Sequence, residues 1–156
     1  FGVRSTNADE NLTWVACVGL PGTRVGGCDM RRGDTECSAS LPLLCLNPDA
    51  AGIREPGADL KGHWLEARIA ASAPVRGTDL KNRDRADARC ATQFGRGWRV
   101  ARWSDHGEDF IASGSIRRAA RMWIDSPETS AATCWAPRQS HQEGRVEVTS
   151  VKPGGG

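Results

Sequence analysis

The feature that most restricts the fold of this chain is its set of six cysteines within 156 residues. They are Cys17, Cys28, Cys37, Cys45, Cys90 and Cys134. Structural zinc sites usually pair cysteines that are two to four residues apart, and no pair here has that spacing. An even number of cysteines therefore indicates disulfides and an oxidising compartment. The length predicts a single domain over residues 1–156.

The segment 12–46 is predicted to be a disulfide-stapled hairpin. Two short apolar runs, 13–18 and 41–46, flank a turn-rich stretch, as in an antiparallel strand pair. Partner numbers in such a pair have nearly constant sums, and the nested bridges Cys17–Cys45 and Cys28–Cys37 meet this condition if one bulge is present. The other pairing, Cys17–Cys28 with Cys37–Cys45, stays open because connectivity cannot be read from sequence.

The clearest strand and helix signals lie in the second half of the chain. Residues 63–71 alternate between apolar and charged side chains, which predicts a half-buried strand. Residues 78–94 predict the main helix, with Thr78 or Asp79 as its N-cap and Gly95 as its C-terminal stop.

Shorter strand candidates complete the chain at residues 98–103, 110–112, 121–124 and 145–148. The pattern predicts an α+β fold, a small and mainly antiparallel β domain with one main helix and disulfide staples. Its expected parts are the hairpin at 12–46, an α+β core at 63–151, and tails at 1–11 and 152–156.

One stretch resembles a family of bacterial secreted proteins of unassigned function. The motif is residues 31–45, followed by a strand and helix comparable to residues 87–101 and by a closing Cys134-Trp135. The resemblance implies export and names no activity. Only three of the 21 basic residues are lysines, which is typical of a GC-rich coding sequence.

Residues 78–135 also resemble the C-type-lectin-like fold. The common pattern is a cysteine on a helix, a Gly-rich turn, a strand, and a late cysteine, here Cys90 and Cys134. The resemblance implies a Cys90–Cys134 bridge that joins the helix to a late strand. Sugar binding in that family uses Ca²⁺, and Trp123-Ile124-Asp125 is partly similar to one of its calcium motifs.

Three acidic residues within 105–109, together with one at position 125, are the candidate calcium ligands, because carboxylate oxygens suit this cation. The candidates are Asp105, Glu108, Asp109 and Asp125. The ordinary alternative is a solvated loop, so we assign no cofactor and keep Ca²⁺ as the one to test. Asn11-Leu12-Thr13 is an N-glycosylation sequon, which makes Asn11 a candidate modification site.

Charge and hydropathy exclude two classes of partner. The net charge of +2 gives no polybasic surface for nucleic acid, and no apolar run approaches the roughly 18 residues of a membrane span. Six arginines could form a face for acidic glycans, but the small net charge favours their interpretation as solvated surface. They are Arg96, Arg99, Arg102, Arg117, Arg118 and Arg121.

The sequence favours a non-catalytic, exported protein with a structural or adhesive role outside the cell or at its surface. No nucleophile elbow or metalloprotease motif is present, so we predict that the chain is not an enzyme. One form of this hypothesis is a repeating subunit of an extracellular assembly or filament. Self-association would then use the termini or edge strands at 13–18 or 145–151. The alternatives are a carbohydrate-binding C-type-lectin-like module, with glycans as partners, and a secreted hydrolase.

Overall fold

The computed structural model describes residues 1–17, 35–49, 57–117, 121–126 and 134–135. Its strands are β1 (Gly2–Asn7), β2 (Leu12–Ala16), β3 (Ser40–Leu41), β4 (Leu44–Asn47), β5 (Trp64–Ala71), β6 (Val75–Arg76), β7 (Arg99–Val100) and β8 (Asp109–Ser113). Its helices are α1 (Gly77–Leu80), α2 (Arg83–Phe94) and α3 (Trp103–His106), with a 3-10 helix at Ala58–His63.

Six strands form one sheet in the order β1-β2-β8-β5-β4-β7, and β3 pairs with β6 separately. Every neighbouring pair is antiparallel except β5 and β8. The prediction of a small, mainly antiparallel fold with one main helix is confirmed for the described residues. The similarity to the C-type-lectin-like fold stays a prediction.

The predicted strand at 63–71 is confirmed as β5, with Ala67 and Ile69 buried and Glu66 and Arg68 exposed. This alternation follows from the two-residue period of a strand that has one buried face. Gly114, which follows β8, lies close to the middle of β5. A Cβ at Gly114 would overlap the carbonyl oxygen of Ile69, so only glycine allows this approach.

The predicted helix at 78–94 is divided in two. Lys81 has a φ of +58°, which ends α1 and cannot continue a right-handed helix. Asn82 then caps α2, its side chain accepting a hydrogen bond from Arg85 N at 2.9 Å. The cap is therefore Asn82 and not Thr78 or Asp79, whereas the predicted stop at Gly95 is confirmed by its φ of +104°.

The segment 121–126 joins the two edges of the large sheet. Arg121 bridges to Gly2 of β1, and Asp125 bridges to Arg102, just after β7. Backbone hydrogen bonds hold both ends, since Met122 N donates to Phe1 O and Asp125 N donates to Ala101 O, each at 2.9 Å. The sheet is thereby closed over the apolar residues of one face.

Successive residues of β4 contribute to two separate cores. Leu44 and Leu46 pack inside the closed face, and Cys45 points to the opposite face, against α2. The inner core consists mainly of Phe1, Val3, Val15, Ile69, Phe110, Ala112, Ile116 and Met122, together with those leucines. The outer core consists of Leu43, Cys45, Val75, Leu80, Ala86, Cys90, Val100, Trp123 and Trp135.

The disulfide predictions are wrong. Cys45 is bonded to Cys90 and Cys37 to Cys134, which excludes Cys17–Cys45, Cys28–Cys37 and Cys90–Cys134, as well as the alternative Cys37–Cys45. Cys17 is also disulfide-bonded, and Cys28 lies outside the described residues. The physical reason is that β4 is an interior strand whose Cys45 faces α2, so its closest sulfur belongs to the helix.

The hairpin predicted at 12–46 is wrong as well. Its two arms, β2 and β4, are separated in the sheet by β8 and β5. Residues 1–11 are not a tail, because β1 pairs with β2 along its length and Phe1 is buried. The proposed edge at 13–18 is also wrong, because β2 is hydrogen-bonded on both sides. Residues 145–151 and 152–156 lie outside the described part.

None of the helices among the described residues is long and apolar enough to cross a membrane.

Disulfide mapping provides the first test. Digestion of unreduced protein with chymotrypsin, which cuts after the leucines between Cys37 and Cys45, should release linked peptides for Cys45–Cys90 and Cys37–Cys134 in mass spectrometry. Trypsin is unsuitable because no basic residue separates Cys37 from Cys45. A linked peptide containing Cys90 and Cys134 would contradict the fold, and a reduced digest is the control.

Candidate functional site

The outer face of α2 carries a stripe of polar residues. Arg85, Arg89, Thr92 and Gln93 recur at the spacings that place side chains on one side of a helix. The adjacent side carries Ala86 and Cys90, which are fully buried against the sheet. Burial of the small residues therefore fixes the direction in which the arginines point.

This stripe forms one wall of a cleft of about 690 Å³. The other wall comes from the turn and strand at Pro74–Arg76, from Asp79 and Leu80 of α1, and from Ser40 of β3. The volume lies within the range of ligand pockets, about 300–1,000 Å³. The cleft therefore has the size of a ligand site and a lining that mixes apolar and polar groups.

Two hydrogen bonds hold the walls of the cleft together. The Arg89 Nη2 donates to Pro74 O at 3.3 Å, and Ala73 N donates to the Gln93 Oε1 at 2.9 Å. Both bonds join α2 to the turn before β6. These bonds therefore fix the position of one wall of the cleft relative to the other.

The cleft carries an excess of positive charge. Arg76, Arg85 and Arg89 line it together with a single acid, Asp79. Arg76 and Arg85 are exposed and make no ion pair with any of the described residues. Arg85 and Arg89 are also four residues apart on one helix, a like-charge spacing that costs an isolated helix about 0.2–0.5 kcal/mol.

The far side of α2 carries charges that are fully paired. Arg99 binds Asp105 through two hydrogen bonds of 2.7 and 2.8 Å, and Arg102 pairs with Asp87 at 3.3 Å. Arg83 pairs with Asp125, which is 3% exposed and also accepts a hydrogen bond from Trp135 Nε1 at 3.1 Å. Three arginines and three aspartates thus balance within one network.

The network favours the charged forms of Asp105 and Arg99. Burial raises the pKa of Asp105, but hydrogen bonds from the Arg99 side chain and Arg102 N outweigh it and leave that pKa below its ordinary value. The hydrogen bond to Asp105 is likewise the main cause that raises the pKa of Arg99. Asp105 is therefore ionised at neutral pH, unlike the general acid of a hydrolase.

The four candidate calcium ligands have other partners or stand apart. Asp105 and Asp125 are held by Arg99 and Arg83, and Asp109 Oδ1 lies 3.1 Å from His63 Nδ1. Glu108 is exposed. Among the residues whose positions are described, no three acidic, histidine or cysteine side chains are grouped as a metal site would require.

The structure also shows the positions of the glycosylation sequon and of two arginines that were predicted to be solvated. Asn11 is exposed in the turn between β1 and β2, but Thr13 of its sequon is fully buried and donates to Gly114 O. The interpretation of Arg99 and Arg102 as solvated surface is wrong, because both are half-buried in the ion-pair network.

Sequence reasoning missed the arginines of the cleft. The i, i+4 spacing of Arg85 and Arg89 was visible, but their side of the helix depends on which cysteine pairs with Cys45. Arg76 comes from a separate strand, and no local pattern connects it to α2. Only the folded chain brings the three together.

Comparisons with protein-family models, with curated proteins and with solved structures find no match for this chain.

His106 gives the stability a dependence on pH. Its ring packs 3.8 Å from that of Phe110 and 5.6 Å from that of Phe1, measured between centroids. Burial lowers its pKa from 6.5 to about 4, against a hydrogen bond with Gly107 O that raises it. Between these two values the unfolded chain binds more protons than the folded one, so stability falls as the pH falls.

We expect the free energy of unfolding to decrease by about 3 kcal/mol between pH 6.5 and 4 through this group. Urea denaturation at several pH values, with disulfides intact, measures the slope. His106→Gln should be less stable at neutral pH but lose this part of the slope. An unchanged slope in the variant would assign the pH dependence to other groups.

Proposed function

We propose that the chain is a non-catalytic, secreted adhesion domain whose arginine cleft binds an acidic polysaccharide. The observation that supports this proposal is the unbalanced charge of the cleft, where three arginines face one aspartate. Guanidinium groups pair with carboxylate and sulfate groups through charge-assisted hydrogen bonds. A polymer that carries such groups at intervals matches an open cleft with several cations.

The contrast between the two sides of α2 supports the same conclusion. Away from the cleft, every arginine of the network has an aspartate partner. Within the cleft, Arg85 and Arg89 repel each other, and neither forms an ion pair with an acid among the described residues. On the cleft side of α2, the guanidinium groups have no acidic partner among the described residues. Their N–H groups can therefore donate to an anionic ligand.

A binding role agrees with the arrangement of the three aspartates beside α2 and of His106. Asp87, Asp105 and Asp125 are occupied by arginines. His106 is half-buried, with its Nδ1 2.9 Å from Gly107 O. These side chains are already held by partners within the protein, whereas a general acid or base must reach the substrate. The two disulfides are typical of an oxidising environment, which supports export.

Arginine substitutions in the cleft test this proposal. Binding of polygalacturonate and dextran sulfate should be measured by calorimetry or interferometry, with neutral dextran as the uncharged control. Arg76→Gln with Arg85→Gln, which leaves the Arg89 bond between the walls in place, should weaken binding of the acidic polymers at least tenfold, because each charge-assisted hydrogen bond contributes about 1.5 kcal/mol or more. Raising the salt concentration should weaken binding of the original chain as well.

The matched control is Arg68→Gln with Arg96→Gln, which removes two exposed arginines outside the cleft. It changes the net charge by the same amount and should leave binding nearly unchanged. Equal weakening in both double variants would indicate attraction to overall charge and not to the cleft. Absence of binding by the original chain would contradict the proposal.

The single substitution Arg85→Gln should weaken ligand binding but increase the stability of the fold. Arg85→Gln removes the repulsion with Arg89, so we expect the free energy of unfolding to rise by about 0.2–0.5 kcal/mol while affinity falls. Paired denaturation curves measure this difference. A loss of stability would mean that Arg85 supports the fold and does not serve a ligand.

A further inference from the structure

A second concave site lies on the sheet, away from the arginine cleft. Cross-strand pairing places Ser5 beside Trp14 and Trp14 beside Ile111, and it places Asn7 beside Leu12. Partners in adjacent strands point to the same face of a sheet, so these side chains form one continuous patch. Leu60, from the 3-10 helix, and Glu10, from the turn after β1, complete a pocket of about 180 Å³.

The volume admits one small ring. At about 30 Å³ for each water molecule, the pocket corresponds to roughly six waters. It is smaller than the pockets of drug-sized ligands, which begin at about 300 Å³. An occupant is therefore a single compact group, such as one residue at the end of a longer molecule.

The lining divides into an apolar base and a polar rim. Leu12 and Ile111 are buried at the base, and the half-buried Trp14 forms a wall. Ser5, Asn7 and Glu10 are exposed at the rim. The rim is ordered by two contacts, because Asn7 Nδ2 donates to the Glu10 Oε2 at 2.8 Å and Glu10 N donates to the Asn7 Oδ1 at 3.2 Å.

The charges around the pocket favour a neutral ligand. Glu10 is the one charged residue in its lining. The Arg4 guanidinium lies 4.6 Å from the centroid of the Trp14 ring and provides one positive charge nearby. An anion would meet the carboxylate of Glu10, and a cation would compete with Arg4 for the indole.

We propose that this pocket binds one neutral pyranose residue of a glycan. A pyranose presents C–H groups on its faces, which suit the apolar base formed by Leu12 and Ile111, and hydroxyl groups around its edge. A carboxylate, an amide and a hydroxyl at the rim offer the donors and acceptors that those hydroxyl groups require. An apolar side chain of a protein partner would fill the base but would make no hydrogen bond to the rim. The site differs in position and charge from the arginine cleft and does not depend on it.

Nuclear magnetic resonance of ¹⁵N-labelled protein tests the proposal. The buried indole N–H of Trp14 has no hydrogen-bond partner among the described residues and gives a cross-peak that Trp14→Phe identifies. The probes are the methyl glycosides of glucose, galactose, mannose and N-acetylglucosamine, one at a time. At least one should shift this cross-peak in a saturable way, while methyl glucuronide, which is anionic, should not.

Glu10→Ala should weaken the effective glycoside at least tenfold. The matched control is Asp9→Ala, which removes an exposed acid from the same turn but not from the pocket, and it should bind as the original chain does. Arg76→Gln with Arg85→Gln should also leave this binding unchanged, which separates the pocket from the cleft. The proposal is overturned if no neutral glycoside shifts the Trp14 cross-peak, or if both single variants weaken binding equally.

Discussion

The disulfide between Cys45 and Cys90 is the constraint on which the rest of the structure depends. It joins an interior strand to the main helix across 45 residues, and both cysteines are fully buried. Closure of a loop of that length removes about 4 kcal/mol of conformational freedom from the unfolded chain. Because Cys90 must face β4, Ala86 also packs inward and the arginines four residues apart point to the cleft.

The segment 121–126 provides the second long-range constraint. It bridges β1 at one edge of the sheet and the residues after β7 at the other, and its Asp125 also holds Arg83 of α2 and Trp135. One short stretch therefore connects the sheet closure, the main helix and the ion-pair network. A buried ion pair is itself weak evidence of stability, but here it fixes the relative positions of three elements.

Charge is distributed differently over three parts of the surface. The network beside α3 is balanced, the cleft along α2 is positive, and the pocket on the sheet has an acidic rim with a nearby arginine. A net charge of +2 for the whole chain conceals these differences. If both proposals hold, the cleft would bind an acidic stretch of a glycan and the pocket a neutral residue of it.

The sequence by itself determined the features that depend on local pattern. It predicted β5 from alternation, the end of α2 from Gly95, β8 from an apolar run, and disulfides from the number of cysteines. The tertiary structure alone decided the strand order, the disulfide partners and the residues of both candidate sites. The physical reason is that a cysteine pairs with whichever sulfur the sheet brings within reach, and a side chain lines a cleft only when distant strands place the other wall. The distances between cysteines and between the walls of a cleft depend on the packing of the whole chain. The spacing of residues in the sequence does not predict them.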